Sequence, residues 1–217
     1  QIFPTHQQIR LHLADIDRLN GFHDKALEAY QALSKESQDE KSIHQSWRLP
    51  FGLGQTAIEL GEIEIGLAAL QDAATKQPEN LLVLHALAAA CLKANLDAKA
   101  HETAKFALKL APQEIDNILW YADFKTKSND PKEAVKALNE ALQITPHRSE
   151  LKLWLAKTYL LMDLSDDAKR TLVELLSDPN SNAKDLHQAA YLFIQLNEID
   201  LAAQALEKTI NAAENFN

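Results

Sequence analysis

Eight histidines, one cysteine and three tryptophans are the residues of this chain with the most chemistry to offer. The histidines stand at 6, 12, 23, 44, 85, 101, 147 and 187. No two share a helix at i and i+4, and none flanks a cysteine at zinc-ligand spacing, so the sequence predicts no metal site and no cofactor. It contains no Gly-rich phosphate loop and no G-x-S-x-G elbow. Gly52-Leu53-Gly54 reads as a helix-packing feature rather than a dinucleotide fingerprint. Cys91 has no second cysteine to pair with and falls on the apolar side of its helix, which predicts a buried, inert thiol. No catalytic residue is predicted. What remains is recognition without bond-making. Trp120 and Trp154 stand 34 residues apart, each preceded by a leucine, Leu119 or Leu153. Tryptophan is the side chain that most often anchors a protein interface.

The same step of 34 residues organises the elements that carry these side chains. Pro78, Pro112 and Pro146 keep it, as do Ala88 and Ala122, Asn95 and Asn129, Ala100 and Ala134, and Ala107 and Ala141. A fixed period of this size signals a repeat architecture. Extended both ways, the register gives six units, 7–40, 47–80, 81–114, 115–148, 149–182 and 183–216, with one insertion at Lys41–Ser46. Position 8 of the units reads Ala14, Gly54, Ala88, Ala122, Ala156 and Ala190; position 20 reads Ala26, Gly66, Ala100, Ala134, Ala168 and Ala202. Small residues at two fixed points let two helices approach closely. Position 15 reads Gly21, Gly61, Asn95, Asn129, Asp163 and Asn197, residue types that tolerate a left-handed backbone. Each unit is therefore a helix A, a turn at position 15, a helix B and a turn near position 32. At the irregular junction of units one and two, the favoured reading starts helix A near Ser42 and kinks it at Pro50; the alternative starts it near Pro50 itself.

Composition agrees. Glycine is scarce at 5 residues and proline at 7, while Ala, Leu, Lys, Glu and Gln dominate, so an all-α chain is expected. The net charge of -9 argues against a nucleic-acid partner, which would call for a basic face. The longest apolar-rich stretch, Leu81–Leu92, is too short for a membrane span and is broken by His85. No signal peptide is visible. The chain reads as soluble, cytoplasmic or periplasmic, and a lone thiol does not tell the two apart. It starts at Gln1 and closes without a polar capping helix, which gives the expectation of a segment from a longer protein with uncapped end repeats open to self-association.

The register resembles that of the tetratricopeptide repeat family, with a small residue at 8, a turn at 15, Ala at 20, an aromatic or Leu at 24, Ala at 27 and Pro at 32. Units three and four fit best. The aromatic common at position 4 is absent, replaced by Arg10, Pro50, Leu84, Ile118, Lys152 and Leu186, and position 32 is Gln38, Asn180 and Glu214 in units one, five and six. The resemblance covers essentially residues 1–217 and implies a right-handed α-solenoid acting as a single domain.

On a helix of about 100° per residue, positions 2, 5, 6, 9 and 13 of helix A share an arc of about 100°, opposite positions 4, 7, 8 and 11. The second set is small or mostly apolar and is expected to pack on helix B, leaving the first to line an inner surface. The resemblance implies that this surface is a peptide-binding groove. Its candidate residues are Leu82 and His85; Asp116, Leu119, Trp120 and Asp123; Glu150, Leu153, Trp154 and Lys157; and Tyr191. They suggest an apolar shelf around the two tryptophans, edged by Asp116, Asp123, Glu150 and Lys157. The Lys and Asn pattern of chaperone-tail-binding members is not met, since units three to five offer His85 and Ala89, Trp120, then Glu150 and Trp154. The expected partner is thus a protein or peptide segment of apolar or weakly basic character. Two other roles stay open, a structural spacer or oligomerisation module, and a regulatory arm of an enzyme whose catalytic domain lies outside this sequence.

Overall fold

The computed structural model describes residues 4–36 and 46–214, and every regular element among them is helical. The helices come in antiparallel pairs, one pair per repeat. They are α1 (Pro4–Leu19) with α2 (His23–Ser34), α3 (Arg48–Glu59) with α4 (Ile63–Lys76), and α5 (Leu81–Lys93) with α6 (Asp97–Leu110). Then follow α7 (Ile115–Lys127) with α8 (Pro131–Ile144), α9 (Ser149–Leu161) with α10 (Ser165–Ser177), and α11 (Ala183–Gln195) with α12 (Ile199–Glu214). The result is an all-α, solenoid-like repeat fold, as the register predicts. Residues 37–45, which hold Gln38 and most of the Lys41–Ser46 insertion, lie outside the described residues.

The turn at position 15 is left-handed in all six repeats. The φ angles are 81° and 83° at Gly21 and Gly61, and 56°, 61°, 59° and 59° at Asn95, Asn129, Asp163 and Asn197. Each helix A thus ends in a Schellman-type closure, in which the amide two residues beyond the last turn reaches back to a carbonyl five residues earlier. Leu96 N donates to Cys91 O at 2.8 Å, Asp130 N to Lys125 O at 2.8 Å and Glu198 N to Phe193 O at 2.9 Å. The expected position-32 prolines Pro78, Pro112 and Pro146 fall in the turns after helices B. Asn80 and Asn182 then open the next helices, accepting hydrogen bonds from Leu82 N at 3.0 Å and Asp185 N at 2.8 Å.

All twelve small residues at positions 8 and 20 are buried. The approach is close in the second repeat, where a Cβ on Gly54 would stand 2.6 Å from Leu70 Cγ and 3.0 Å from the Gly66 carbonyl oxygen. Residues Gln1–Leu110 and Ala111–Asn217 form two compact units where the register runs on without a break. Within the first, α2 packs on α3 and α4 on α5; within the second, α8 packs on α9 and α10 on α11, while α9 also touches α7 and α11. Helices A of one unit are therefore neighbours.

Two features correct or complete the sequence reading. Helix α3 begins at Arg48, after a bend at Ser46 and a turn at Trp47, so the longer helix kinked at Pro50 is not what forms. Pro50 sits in the first turn, where its missing N–H costs nothing. The absent aromatic at position 4 has a replacement in two repeats. Arg10 pairs with Glu36, and Lys152 donates to Asp178 Oδ2 at 2.8 Å. In both, a cation at position 4 meets an acid at position 30 of the same repeat, tying helix A to the end of helix B.

Candidate functional site

The second unit carries the two tryptophans. Trp120 on α7 and Trp154 on α9 occupy the same repeat position on adjacent A helices and are both half-buried. Trp120 stacks on Phe124 one turn away, with centroids 5.3 Å apart and planes at 26°. Its ring is thereby held by a side chain that is itself core. Above the Trp154 ring, 5.7 Å from its centroid, lies Lys157 Nζ, close enough for cation–π attraction. The same ammonium donates to Gln188 Oε1 of α11 at 2.7 Å. Burial pulls the Lys157 ammonium below its ordinary pKa, with Asp185 opposing the shift and Lys184 adding to it. On α11, Tyr191 is 60% exposed and meets His187 edge to face, 5.1 Å between centroids.

The charged residues expected around the tryptophans differ in exposure. Asp116 is exposed, Glu150 is half-buried, and Asp123 accepts from Lys127 at 2.7 Å. Leu119 is half-buried beside Trp120. Leu153 is different. It is 3% exposed and belongs to the core cluster that includes Leu186, Ala189 and Ala190 of α11. Position 5 lies at the edge of the predicted arc, and the following helix A covers it there. The surface around Trp154 is therefore formed by the indole, Lys157 and Gln188, with Leu153 beneath. Leu82 and His85 are on α5 in the first unit, Leu82 at 63% exposure and His85 half-buried.

Beyond the predicted residues, the first unit holds a cleft of about 380 Å³ with an apolar floor that includes Ile58, Leu70 and Ala90. Arg18, His23 and Gln55 line it, and Lys93 on its rim pairs with Glu59 at 3.4 Å. Arg18 Nε, His23 Nδ1 and Gln55 Oε1 lack a hydrogen-bond partner, yet all three are shielded from solvent, so these atoms do not face the opening. Gln55 falls within the groove positions of the wheel; Arg18 and His23, at positions 12 and 17, do not, and only the fold brings them there.

The buried side is more polar than the pattern of small and apolar residues suggests. Asp185 is 3% exposed and accepts from Ser149 Oγ at 2.6 Å and Asn182 Nδ2 at 2.7 Å. Lys125, also buried, donates to Asp130 at 3.0 Å and lies 5.7 Å from the centroid of Tyr121. Burial, followed by the nearby carboxylates of Glu133, Asp130 and Glu140, pushes the Tyr121 phenol up to about 12. The Lys152 ammonium holds the Asp178 carboxyl well below the usual range against the opposing cost of burial, helped by Asn180 N and His147. Asp185, Lys125 and Asp178 each have their partners inside the fold, which marks them as structural. Cys91 is fully buried, and burial raises its thiol pKa, so it is the core residue the sequence suggested.

Comparison with known proteins supports the same frame. The tetratricopeptide repeat family profile matches residues 125–189. Among solved structures, a tetratricopeptide repeat protein from Parabacteroides merdae superposes with a TM-score of 0.62 at 16% identity, over 97% of this chain and 80% of that one. PilF from Pseudomonas aeruginosa superposes with a TM-score of 0.60 at 14% identity, over 92% of this chain and 88% of its own. No curated protein matches the sequence. At these identities the likeness is one of fold. Arrays of this fold serve in general as scaffolds for protein–protein contact and are as a class non-catalytic. Among the described residues no helix is long and apolar enough to cross a membrane.

Proposed function

Because the chain belongs to the tetratricopeptide repeat family, we propose that its six repeats act as one non-catalytic interaction domain and that the A-helix face of the second unit captures a segment of a partner protein. The observation that carries this reading is the pair Trp120 and Trp154, both half-buried and at one repeat position of neighbouring helices. A half-buried indole braced by its own helix offers a rigid apolar surface with little rotamer freedom left to lose on binding. Phe124 braces the first, and Lys157 with Gln188 fixes the edge of the second. Tyr191 extends the aromatic row to α11, while Asp116 and Glu150 give the margin a negative charge. Such a face suits an apolar peptide with a few basic residues and disfavours an acidic one.

The test is a peptide selection against the whole chain, followed by titration of selected peptides into wild type and the Trp120→Ala/Trp154→Ala double variant. Apolar, weakly basic sequences should be enriched, and the double variant should lose their binding with its helical content unchanged. Equal affinity for both proteins would remove the two indoles from the site.

A further inference from the structure

The cleft of the first unit carries a charge that the fold leaves without a counter-charge. Arg18, near the end of α1, is half-buried and forms no ion pair among the described residues. It stands beside the Tyr30 hydroxyl, but the acid at that point, Asp15, is already taken. Asp15 accepts from Tyr30 Oη at 2.7 Å and from Arg48 Nη2 at 2.7 Å. Withdrawing a charge from water costs free energy unless the charge is paired. In the second unit the buried ammoniums of Lys125 and Lys152 each meet a carboxylate, at 3.0 and 2.8 Å. Arg18 has no such partner. Its Nε, with His23 Nδ1 and Gln55 Oε1, is also shielded without a hydrogen bond. Unused hydrogen-bonding capacity thus collects on three side chains that line one cleft.

The rest of the cleft is largely apolar. Ile58, Leu70 and Ala90 are buried beneath it, and α5 adds the small side chains of Ala86 and Ala89. Ala86 holds the repeat position that is tryptophan at 120 and 154. A large side chain there would occupy the space of about 380 Å³ that the alanine leaves open. That volume is near the lower end of the range for small-molecule sites. On the rim, Lys93 is engaged by Glu59 at 3.4 Å, so the unpaired cation is the guanidinium.

We propose that this cleft binds a small apolar monocarboxylate, with its carboxylate on Arg18 and its hydrocarbon part over Ile58, Ala86 and Ala89. A guanidinium and a carboxylate match in shape as well as charge, since two parallel N–H···O bonds can form between them. One negative charge balances the one unpaired cation, and Glu59 on the same cleft penalises a second. A free acid fits the volume better than a length of peptide. The site lies in a different unit from Trp120 and Trp154 and stands or falls independently of the partner segment proposed for them.

Equilibrium dialysis of the whole chain against submicellar decanoate, and separately against decyltrimethylammonium, distinguishes charge recognition from apolar contact. Decanoate should bind at least tenfold more tightly than the cation of equal chain length. Arg18→Gln should weaken decanoate at least tenfold and leave the cation within about twofold. Ala89 is exposed, so Ala89→Leu fills the cleft without entering the core and should abolish decanoate binding. Unchanged far-ultraviolet circular dichroism verifies that each variant folds. No decanoate binding, equal affinity for the two amphiphiles, or wild-type affinity in either folded variant would overturn the proposal. If Arg18→Gln fails to fold, Ala89→Leu still decides the location and the two probes still decide the charge.

Discussion

The two units share one packing plan and differ in the residues at position 6 of helix A. Position 8 is Ala14, Gly54 and Ala88 in the first unit and Ala122, Ala156 and Ala190 in the second, all buried. Position 6 shows no such uniformity. It is His12, Gly52 and Ala86 in the first unit, then Trp120, Trp154 and Gln188 in the second. Glycine at 52 is dictated by a neighbour, since a Cβ there would stand 2.5 Å from the Tyr30 ring. In the first unit, position 6 thus brings α3 against Tyr30, whereas in two repeats of the second it carries the half-buried indoles of Trp120 and Trp154. Repeats constrain the positions that touch other helices in every unit, and the remaining positions are free to diverge toward a partner.

Giving the first unit the tryptophan of the second tests this contrast most severely. Gly52→Trp must displace the buried Tyr30 ring, and we expect a loss of about 4 kcal/mol or failure to fold, read by denaturant unfolding. A soluble variant with an unshifted midpoint would show that position 6 is as free in repeat two as in repeat four.

Next in size is the ion pair of the fifth repeat. Lys152→Met leaves Asp178, whose side chain is 6% exposed, without its main partner and should cost about 3 kcal/mol at neutral pH. The pH dependence has a definite sign. Asp178 is depressed in the folded state, so its contribution is present above the unfolded carboxyl value of about 3.9 and is lost as pH falls through the folded value. Wild-type stability should drop as acid is added below about pH 4, and the drop should be shallower in Lys152→Met. The equivalent Arg10–Glu36 pair of the first unit has side chains 42% and 17% exposed, so Arg10→Met should cost less, under about 1 kcal/mol.

Smaller again is the effect expected on binding. Loss of both Trp120 and Trp154 should weaken a selected peptide at least tenfold, about 1.4 kcal/mol or more, while replacing Leu82 of the first unit should leave it within about twofold. The smallest difference concerns the turns. Gly61→Ala forces a Cβ into a left-handed backbone at φ 83° and should cost about 1 kcal/mol, whereas Gly61→Asn, the residue used at 95, 129 and 197, should cost only a few tenths. Thermal melts of the two variants side by side would read this.

Most of the fold is legible in the primary structure, and the candidate site only in part. The turn at position 15 and the small residues at 8 and 20 are local demands, one on backbone dihedrals and one on helix separation, so residue type reports them directly. The start of α3 was less accessible. Pro50 tolerates both a first-turn place and a kink, and the packing of Leu49 and Gly52 on the first repeat accompanies the first of these. The wheel likewise treats a helix as if it had one neighbour. It separates Trp154 from Leu155 correctly but assigns Leu153 to the open face, because the cover comes from α11, 30 residues later in the chain.

By itself, then, the sequence determined the period, the helix pairs and the residues that must be small or left-handed, since those depend on contacts within one repeat. Tertiary structure decided how deep each of these helix-A positions lies, that Leu153 is covered by α11, and that Lys152 and Asp178 meet at 2.8 Å. These are decided between elements. A side chain's exposure depends on which helix stands beside it, and a repeating sequence specifies the same kind of face whether or not a neighbour is present.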